Sequence, residues 1–539
     1  MAFSIKIIRG DDAHKTRCLP EFIARWQSLA KITNHVTVFQ EPAFVNCWYQ
    51  QYSPEYEPIL VLGYDANELL IGLLPLAIEN KSKTLTHAAA QQVEYSGWLC
   101  NPEYKNTFIA KAIATVSKEI SFSAWRWSHI PPYAEVDWLA QPYPELKNTY
   151  IHYEKVESPI LDLHNEEKIN KIKKSKSVKS KINRLKRKGD LHLEHITNPL
   201  RAAQVMELIP DLVNFRHGAA HGDLAFREDP LQHGFYKSRA NNLTENHFSA
   251  LWMGEKLLAF HFGGIDKDTI YIGLTAFDPR ESKHSPGVVF ILYLADMLCQ
   301  QGIRYIDLTP GGDEYKERFC NGRHTLYRPI IYSSRLEKYI NTSKQKAKAS
   351  ILNTLSTLGI EKETLTNKLK ANNKRNDSIN GYQLFSIDLD KFNPRITDKN
   401  PSSIHVQKYS DLLIHQGYSN SLEMQTLLND STQRFSKEET LITLMEDEKL
   451  IGYGWLSKMG TKYKNHGQDL CLDKDSVVVD CIEVEKILPK ADVHERLMLF
   501  MISRAIEQGC KKAFCYVPAT SKQENYELIN KLGFQSVIN

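Results

Sequence analysis

Asp313, Tyr315 and Lys316 stand just beyond a Pro310-Gly311-Gly312 turn. A glycine-rich turn after a strand that ends near Thr309 would carry them to a cleft. There Asp313 could accept a proton from an attacking group, and Lys316 could pair with a phosphate or a developing oxyanion. The same residues also allow a structural use, with Asp313 capping a short helix Asp313–Phe319 and Lys316 pairing on its surface. A second group is Ser285-Pro286-Gly287, at the head of the apolar run Gly287–Gln301. Proline suits a first helical turn and glycine leaves amides bare, so this helix start could receive an anion, or could simply be well capped. Lys283 and His284 would add charge, or be solvated. Asp278 either faces this loop or makes an Asp-Pro turn. Arg216 and His217 close another helix, where they could reach an anionic ligand or only oppose the helix dipole.

Other chemistries lack their residues. There is no G-x-S-x-G elbow and no convincing Cys–His dyad. No His, Cys, Asp or Glu set has metal-ligand spacing, since Gly218 and Gly222 interrupt any helix that would align His217 with His221.

The elements that must position these groups read as an α/β chain in four stretches. In 1–150, Glu21–Lys31 predicts an amphipathic helix, Ile59–Tyr64 and Leu69–Ile78 a hairpin about Asp65–Asn67, and Trp125–Ile130 a further strand. In 151–332, a strand Ser158–Leu163 precedes the run Lys168–Lys188, which carries eleven Lys or Arg and no acid. A helix 200–217 follows, then a hairpin, His247–Met253 with Lys256–Gly263. Strand Thr269–Ala276, helix Gly287–Gln301 and strand Ile303–Thr309 form a right-handed βαβ crossover. A ligand would lie beyond the first of these strands, at the helix N-terminus. Residues 333–379 read as connecting helices and a linker. In 380–539, a hairpin Thr440–Glu446 with Lys449–Trp455 precedes a second βαβ order, Ser476–Val484, Val493–Gln508 and Lys512–Val517. A helix Lys522–Leu532 then ends at Gly533.

The 539 residues carry 68 Lys+Arg against 64 Asp+Glu, a net charge of +4, with 42% hydrophobic and 24% charged residues. That balance excludes a disordered or low-complexity chain and leaves length for three or four domains. The nine cysteines form no C-x-x-C pair and read as reduced thiols. No apolar run approaches the roughly 20 residues of a membrane helix. With no signal peptide expected, the reading is a soluble, cytoplasmic protein. The basic run lacks interleaved aromatics, so nucleic acid is the lesser reading and steering of an anionic ligand, such as a nucleotide-linked sugar or glycan, the greater.

Several segments resemble, in order, the CelD-like acetyltransferases, a branch of the GNAT superfamily related to the FemAB aminoacyl transferases. Val38-Phe39-Gln40-Glu41-Pro42-Ala43-Phe44, followed by Trp48, resembles the family's F-Q-x-P-x-[WF] signature. Gly72-Leu73-Leu74-Pro75-Leu76 resembles its G-x-x-P-L strand. Lys176–Gly189 with Leu191–Glu194 resembles its basic helix and return strand. Phe277-Asp278-Pro279 with Ser285-Pro286-Gly287 resembles its acyl-donor loop. Asp307, then Gly312 through Tyr315-Lys316 to Phe319, resembles its closing motif.

The resemblance implies tandem GNAT-like folds with mixed central sheets flanked by helices. It implies an acyltransferase that uses acetyl-CoA or another acyl-CoA, without a metal, and an amine or hydroxyl acceptor attacking the thioester directly. Asp313, Tyr315 and Lys316 are then the catalytic candidates. Asp278, Lys283, Ser285, Pro286 and Gly287 are the donor-binding candidates, with the amides at Gly287 receiving the pyrophosphate. Arg216, Phe39 and Gln40 are the acceptor-side candidates. Residues 1–150 would shape the acceptor cleft and 151–332 hold the donor. Residues 380–539 resemble a further GNAT domain, ending in Lys531-Leu532-Gly533-Phe534. Its phosphate-loop position reads Lys490-Ala491-Asp492-Val493-His494-Glu495, without glycine and with two acids, and Ile529 replaces the usual tyrosine, so this domain is expected to be degenerate. Two alternatives stay open: a FemAB-type transferase using aminoacyl-tRNA, and a non-catalytic GNAT-like binding protein.

Overall fold

The computed structural model describes residues 2–539 apart from 90–91, 123, 141–142, 312–313, 333, 336–337, 340–381, 393–402, 416–420, 461, 466–467, 485–489, 519–522 and 538–539. The chain forms two compact units. One comprises Met1–Leu208, Asp229–Ala276 and Gly287–Ser350, the other Ile209–Glu228, Phe277–Pro286 and Ile351–Asn539.

In the first unit, strands β1 (Phe3–Arg9), β2 (Tyr56–Asp65), β3 (Leu70–Glu79) and β4 (Leu85–His87) pair antiparallel in sequence order, with β5 (Leu99–Cys100) also on β3. The β2–β3 hairpin turns where expected, because the Asp65 carboxylate accepts hydrogen bonds from the amides of Asn67 and Leu69, both at 2.9 Å. Helix Lys105–Glu119 lies close on this sheet, and a Cβ on Gly72 would overlap the Phe108 ring.

The second sheet of this unit has nine strands: β6 (Ala124–Arg126), β7 (Tyr150–Asp162), β8 (Leu191–His195), β9 (Asn246–Met253), β10 (Lys256–Asp266), β11 (Thr269–Tyr271), β12 (Leu274–Phe277), β13 (Tyr305–Asp307) and β14 (Gly322–Tyr332). Their order is β6-β14-β7-β13-β11-β10-β9-β8, with β12 on β10. Among the described pairings of this sheet only β11 with β13 is parallel, and helix Pro286–Gln300 makes the crossover between them. Helix Pro42–Tyr52 buries Phe44, Trp48 and Tyr49 in a core that continues through Phe39 and Tyr95 to Tyr271 of the nine-stranded sheet.

Several expected elements are divided. The basic run is two helices, Glu167–Lys174 and Lys176–Lys188, separated by an extended Ser175. The helix expected over 200–217 is Pro199–Met206 and Pro210–His221, because Pro210 cannot supply the N–H that continuation requires. The strand expected over 269–276 is β11 and β12, broken at Ile272–Gly273. Those expected over 125–130 and 303–309 shrink to β6 and β13, while Ser158–Leu163 is the end of the longer β7.

In the second unit, β15 (Tyr382–Asp388), β16 (Ile404–Val406), β17 (Thr440–Glu446), β18 (Lys449–Leu456), β21 (Ser476–Val484), β22 (Lys512–Pro518) and β23 (Gln535–Ser536) form a sheet of order β16-β17-β18-β21-β22-β15-β23. Strands β19 (Lys462–Asn465) and β20 (Gln468–Cys471) form a separate hairpin. Parallel β21 and β22 flank helix Lys490–Glu507, so this unit repeats the crossover of the first. Gly533, at φ 87°, ends helix Gln523–Lys531. Helix Ser421–Ser436 crosses Pro210–His221 closely enough that a Cβ on Gly218 would overlap Leu428. Most of the stretch expected as linking helices, 333–379, lies outside the described residues. The chain is thus of the mixed α/β class, with mixed sheets flanked by helices.

Candidate functional site

The break at Ile272–Gly273 opens the nine-stranded sheet. Tyr271 is in register with Asp307, and the last bond across the parallel pair is Ile272 N–H to Asp307 O, at 2.9 Å. Beyond it the strands diverge. The Thr275 hydroxyl donates to Phe260 O on β10 at 2.7 Å, while Leu308 N–H donates to Pro159 O on β7 at 3.1 Å. Two neighbouring strands therefore separate and leave a wedge at their carboxyl ends.

Asp307 stands where the wedge begins. Its carboxylate is 2% exposed and accepts hydrogen bonds from the Tyr95 hydroxyl at 2.5 Å and the Thr309 amide at 2.8 Å. Burial raises its pKa to about 6, against those two bonds and the nearby Lys316. Next to it, Glu94 is raised to about 7 by burial, with Lys316 opposing and Asp307 adding to the shift. The Tyr95 phenol is pushed well upward by burial and by Asp307, so it serves as a donor. Tyr271 donates to Asp266 at 2.9 Å, and its ring meets Phe39 edge-on at 5.3 Å between centroids.

The residues singled out in the sequence distribute between the two units. Lys316 is buried in helix Glu314–Phe319, which overturns its surface-pair alternative. Its ammonium donates to Thr309 O at 3.2 Å, Thr309 Oγ1 at 3.3 Å and Pro310 O at 3.1 Å, and so holds the turn in which Thr309 adopts a φ of 63°. Tyr315 is half-buried on the same helix. Asp313 lies outside the described residues. Phe39 packs against Tyr95 and Tyr271. Gln40 accepts from Thr37 N at 3.0 Å and donates to Tyr95 O at 2.8 Å, so its amide braces the backbone of the tyrosine that holds Asp307. Gly287 is in the first turn of helix Pro286–Gln300.

The second unit holds Arg216, half-buried in helix Pro210–His221, and the loop from Phe277 to Pro286. Asp278 is buried, caps the 3-10 turn Pro279–His284, and grips Arg280 through Nε at 2.9 Å and Nη2 at 2.5 Å. The Asp-Pro turn read from the sequence is present. Lys283 pairs with Glu438 at 2.6 Å. Ser285 adopts a left-handed φ of 49° immediately before Pro286.

Tyr95, Glu94 and Asp307 were not among the sequence candidates, although Asp307 stood in a quoted motif. No local spacing joins Tyr95 to a partner 212 residues away. Among the described residues no group of His, Cys, Asp and Glu could hold a metal ion, and no helix is long and apolar enough to cross a membrane.

Residues 173–317, which contain the break, the crossover helix and Lys316, match the family described as an acetyltransferase (GNAT) domain. No curated protein matches the chain. Similar solved structures include FemX, at 9% identity over 57% of this chain and 95% of that one, with a TM-score of 0.40. A conserved protein of unknown function from Bacteroides thetaiotaomicron shares 13% identity over 57% and 97%, with a TM-score of 0.39. L-PGS from Bacillus licheniformis shares 11% over 58% and 91%, with a TM-score of 0.37.

Proposed function

We propose that this chain is an acyltransferase that moves an acetyl or other acyl group from acyl-CoA to an amine or hydroxyl acceptor by direct attack. The observation that carries this reading is the parting of β12 from β13 within the segment that matches the GNAT domain. Backbone amides at such a break have no strand partner and can polarise a thioester carbonyl. The start of helix Pro286–Gln300, with Gly287 in its first turn, offers amides and a dipole to the pyrophosphate. Under this reading Ser285 and Pro286 set the entry of that helix. Asp278 and Lys283 shape the preceding loop through Arg280 and Glu438.

Glu94 is the proposed general base, since a carboxyl near pKa 7 changes protonation at neutral pH. The acceptor nitrogen or oxygen forms its bond to the carbonyl carbon while its proton passes to this carboxylate. The C–S bond then breaks and the departing thiolate takes a proton. Tyr95 and Lys316 position Asp307 and the Thr309–Pro310 turn around the reacting groups, with Tyr315 alongside and Asp313 as a further contributor. Phe39, Gln40 and Arg216 are assigned to the acceptor side. Residues 1–150 shape that side, 151–332 hold the donor, 333–379 link, and 380–539 form a degenerate GNAT-like domain, whose helix Lys490–Glu507 has Asp492 in its first turn where a phosphate would need bare amides.

The aminoacyl-tRNA alternative would suit a projecting helical arm over 168–188. That stretch is instead two short helices with Ile169, Ile172, Val178 and Leu185 buried, which supports the acyl-CoA reading. Isothermal titration of the full chain with acetyl-CoA and longer acyl-CoAs tests it, together with thiol release in the presence of amine and hydroxyl acceptors. Binding followed by acceptor-dependent CoA release is the expected result. A chain that binds no acyl-CoA would be a binding protein of another kind.

A further inference from the structure

The strand break has to be held open, and one buried side chain is placed to do so. His261, in the middle of β10, is fully buried. Its Nε2 lies 3.1 Å from Tyr271 O and 3.4 Å from Gly273 N, the backbone groups on either side of Ile272. The backbones approach so closely here that a Cβ on Gly263 would overlap Tyr271 O and His261 Nε2, and a Cβ on Gly273 would crowd Phe262 O at 2.8 Å. An imidazole therefore occupies the place a strand partner would take at this elbow. Burial holds its pKa down at about 4, so the ring is neutral and presents one N–H and one bare nitrogen.

His261 Nδ1, both ring nitrogens of His247 and Ser249 Oγ are buried and have no hydrogen-bond partner among the described residues. They lie on adjacent strands, with Ser249 paired in register to His261. The His247 ring lies 5.7 Å from that of His261 and stacks at 4.7 Å on that of half-exposed His195. A neutral Nε2 either accepts from Gly273 N–H or donates to Tyr271 O, and either bond ties β10 to the elbow.

We propose that His261 is the positioning residue of the donor site. By bonding the β11–β12 elbow it keeps β12 away from β13 and aims the backbone after Ile272. This rests on the acyl-CoA reading for its catalytic meaning, but the hold on the elbow is independent of it.

Three substitutions separate the possibilities. His261→Gln can place an amide nitrogen near the Nε2 position, His261→Asn is polar but too short, and His261→Leu keeps bulk without a donor. Amide hydrogen exchange at Gly273 and Leu274 is read beside kcat and the KM for acyl-CoA. In His261→Asn and His261→Leu, exchange at these amides is expected to quicken and kcat to fall about 100-fold, the scale of losing one oriented donor. His261→Gln is expected to stay within about tenfold of wild type in both. Should His261→Leu not fold, the Gln–Asn contrast decides. Wild-type exchange and kinetics in a folded Asn or Leu variant would overturn the proposal, as would a Gln variant as impaired as Asn. If the wild-type chain binds no acyl-CoA, the function reading fails, and the exchange data alone decide whether His261 holds the elbow.

Discussion

The Tyr95 hydroxyl and the Asp307 carboxylate, 212 residues apart in the chain, meet at 2.5 Å beneath the wedge between β12 and β13. Burial raises the Asp307 pKa to about 6, above its ordinary value of 3.8. Between these values the folded protein binds a proton that the unfolded chain has lost, so stability falls as pH rises through the interval. Asp307→Asn removes that ionisation cost. It is expected to be more stable than wild type at pH 7 by about 1–3 kcal/mol and at least about 100-fold less active. Thermal melts at pH 4.5 and 7.5 check this: the melting temperature of wild type relative to the variant should drop across the range.

Tyr95→Phe deletes one bond that lowers the Asp307 pKa and leaves the packing intact. The carboxyl should then titrate above 6, and with less negative charge beside Glu94 the acid limb of the rate profile should move to lower pH. Activity near neutrality is expected to fall by about 10- to 100-fold, the range for a lost oriented hydrogen bond to a charged group. A pH–kcat/KM profile of the two proteins measures the shift directly.

Glu94→Gln tests the proposed base. Wild type should lose kcat/KM below pH 7, as a carboxyl raised to about 7 takes up its proton. In the variant that limb should vanish and the rate fall about 10²- to 10⁴-fold, with acyl-CoA affinity unchanged. A limb that persists in Glu94→Gln would move the role of base to another group.

The crossover that frames this site was readable because its signals are local. An apolar strand, Ser285-Pro286-Gly287, an apolar helix and a second strand follow one another between residues 269 and 309. The break within the first strand had one local mark, Gly273 inside an otherwise β-favouring run, but the elbow itself depends on His261 of another strand. Lys316 was recognised as a candidate, but its three oxygen partners lie in the Thr309–Pro310 turn, where a left-handed threonine has no distinct sequence mark. Gln40 stood in a motif whose purpose became clear only through Tyr95 O. Pro210, by contrast, marked a helix boundary that apolar periodicity on either side obscured.

Gly287→Trp places a bulky side chain in the first turn of helix Pro286–Gln300. If those amides receive the donor's pyrophosphate, acyl-CoA affinity should weaken by at least about tenfold, or about 1.4 kcal/mol. Titration calorimetry on a variant shown to be folded by circular dichroism is the measurement. Unchanged affinity would locate the donor elsewhere.

The second unit contains a buried charge network that offers a test of stability separate from catalysis. Arg434, 3% exposed, donates to Glu439 at 2.8 Å, Asp480 at 3.1 Å and Asp430 at 2.8 Å, with its guanidinium 5.6 Å from the centre of the Trp455 ring. Glu439 and Asp480 are themselves buried, on the two sides of β18. Arg434→Met keeps much of the length and apolar volume but leaves both carboxylates without this cation, at a cost of about 3–5 kcal/mol near neutral pH. Burial already raises the Glu439 pKa despite Arg434, and removing the cation should raise it further. The deficit should therefore shrink on acidification, as the Glu439 carboxyl takes up a proton. Denaturant melts at pH 5 and 7.5 should show a larger loss at the higher pH. An equal loss at both would assign the cost to packing around Trp455 instead of to unpaired charge.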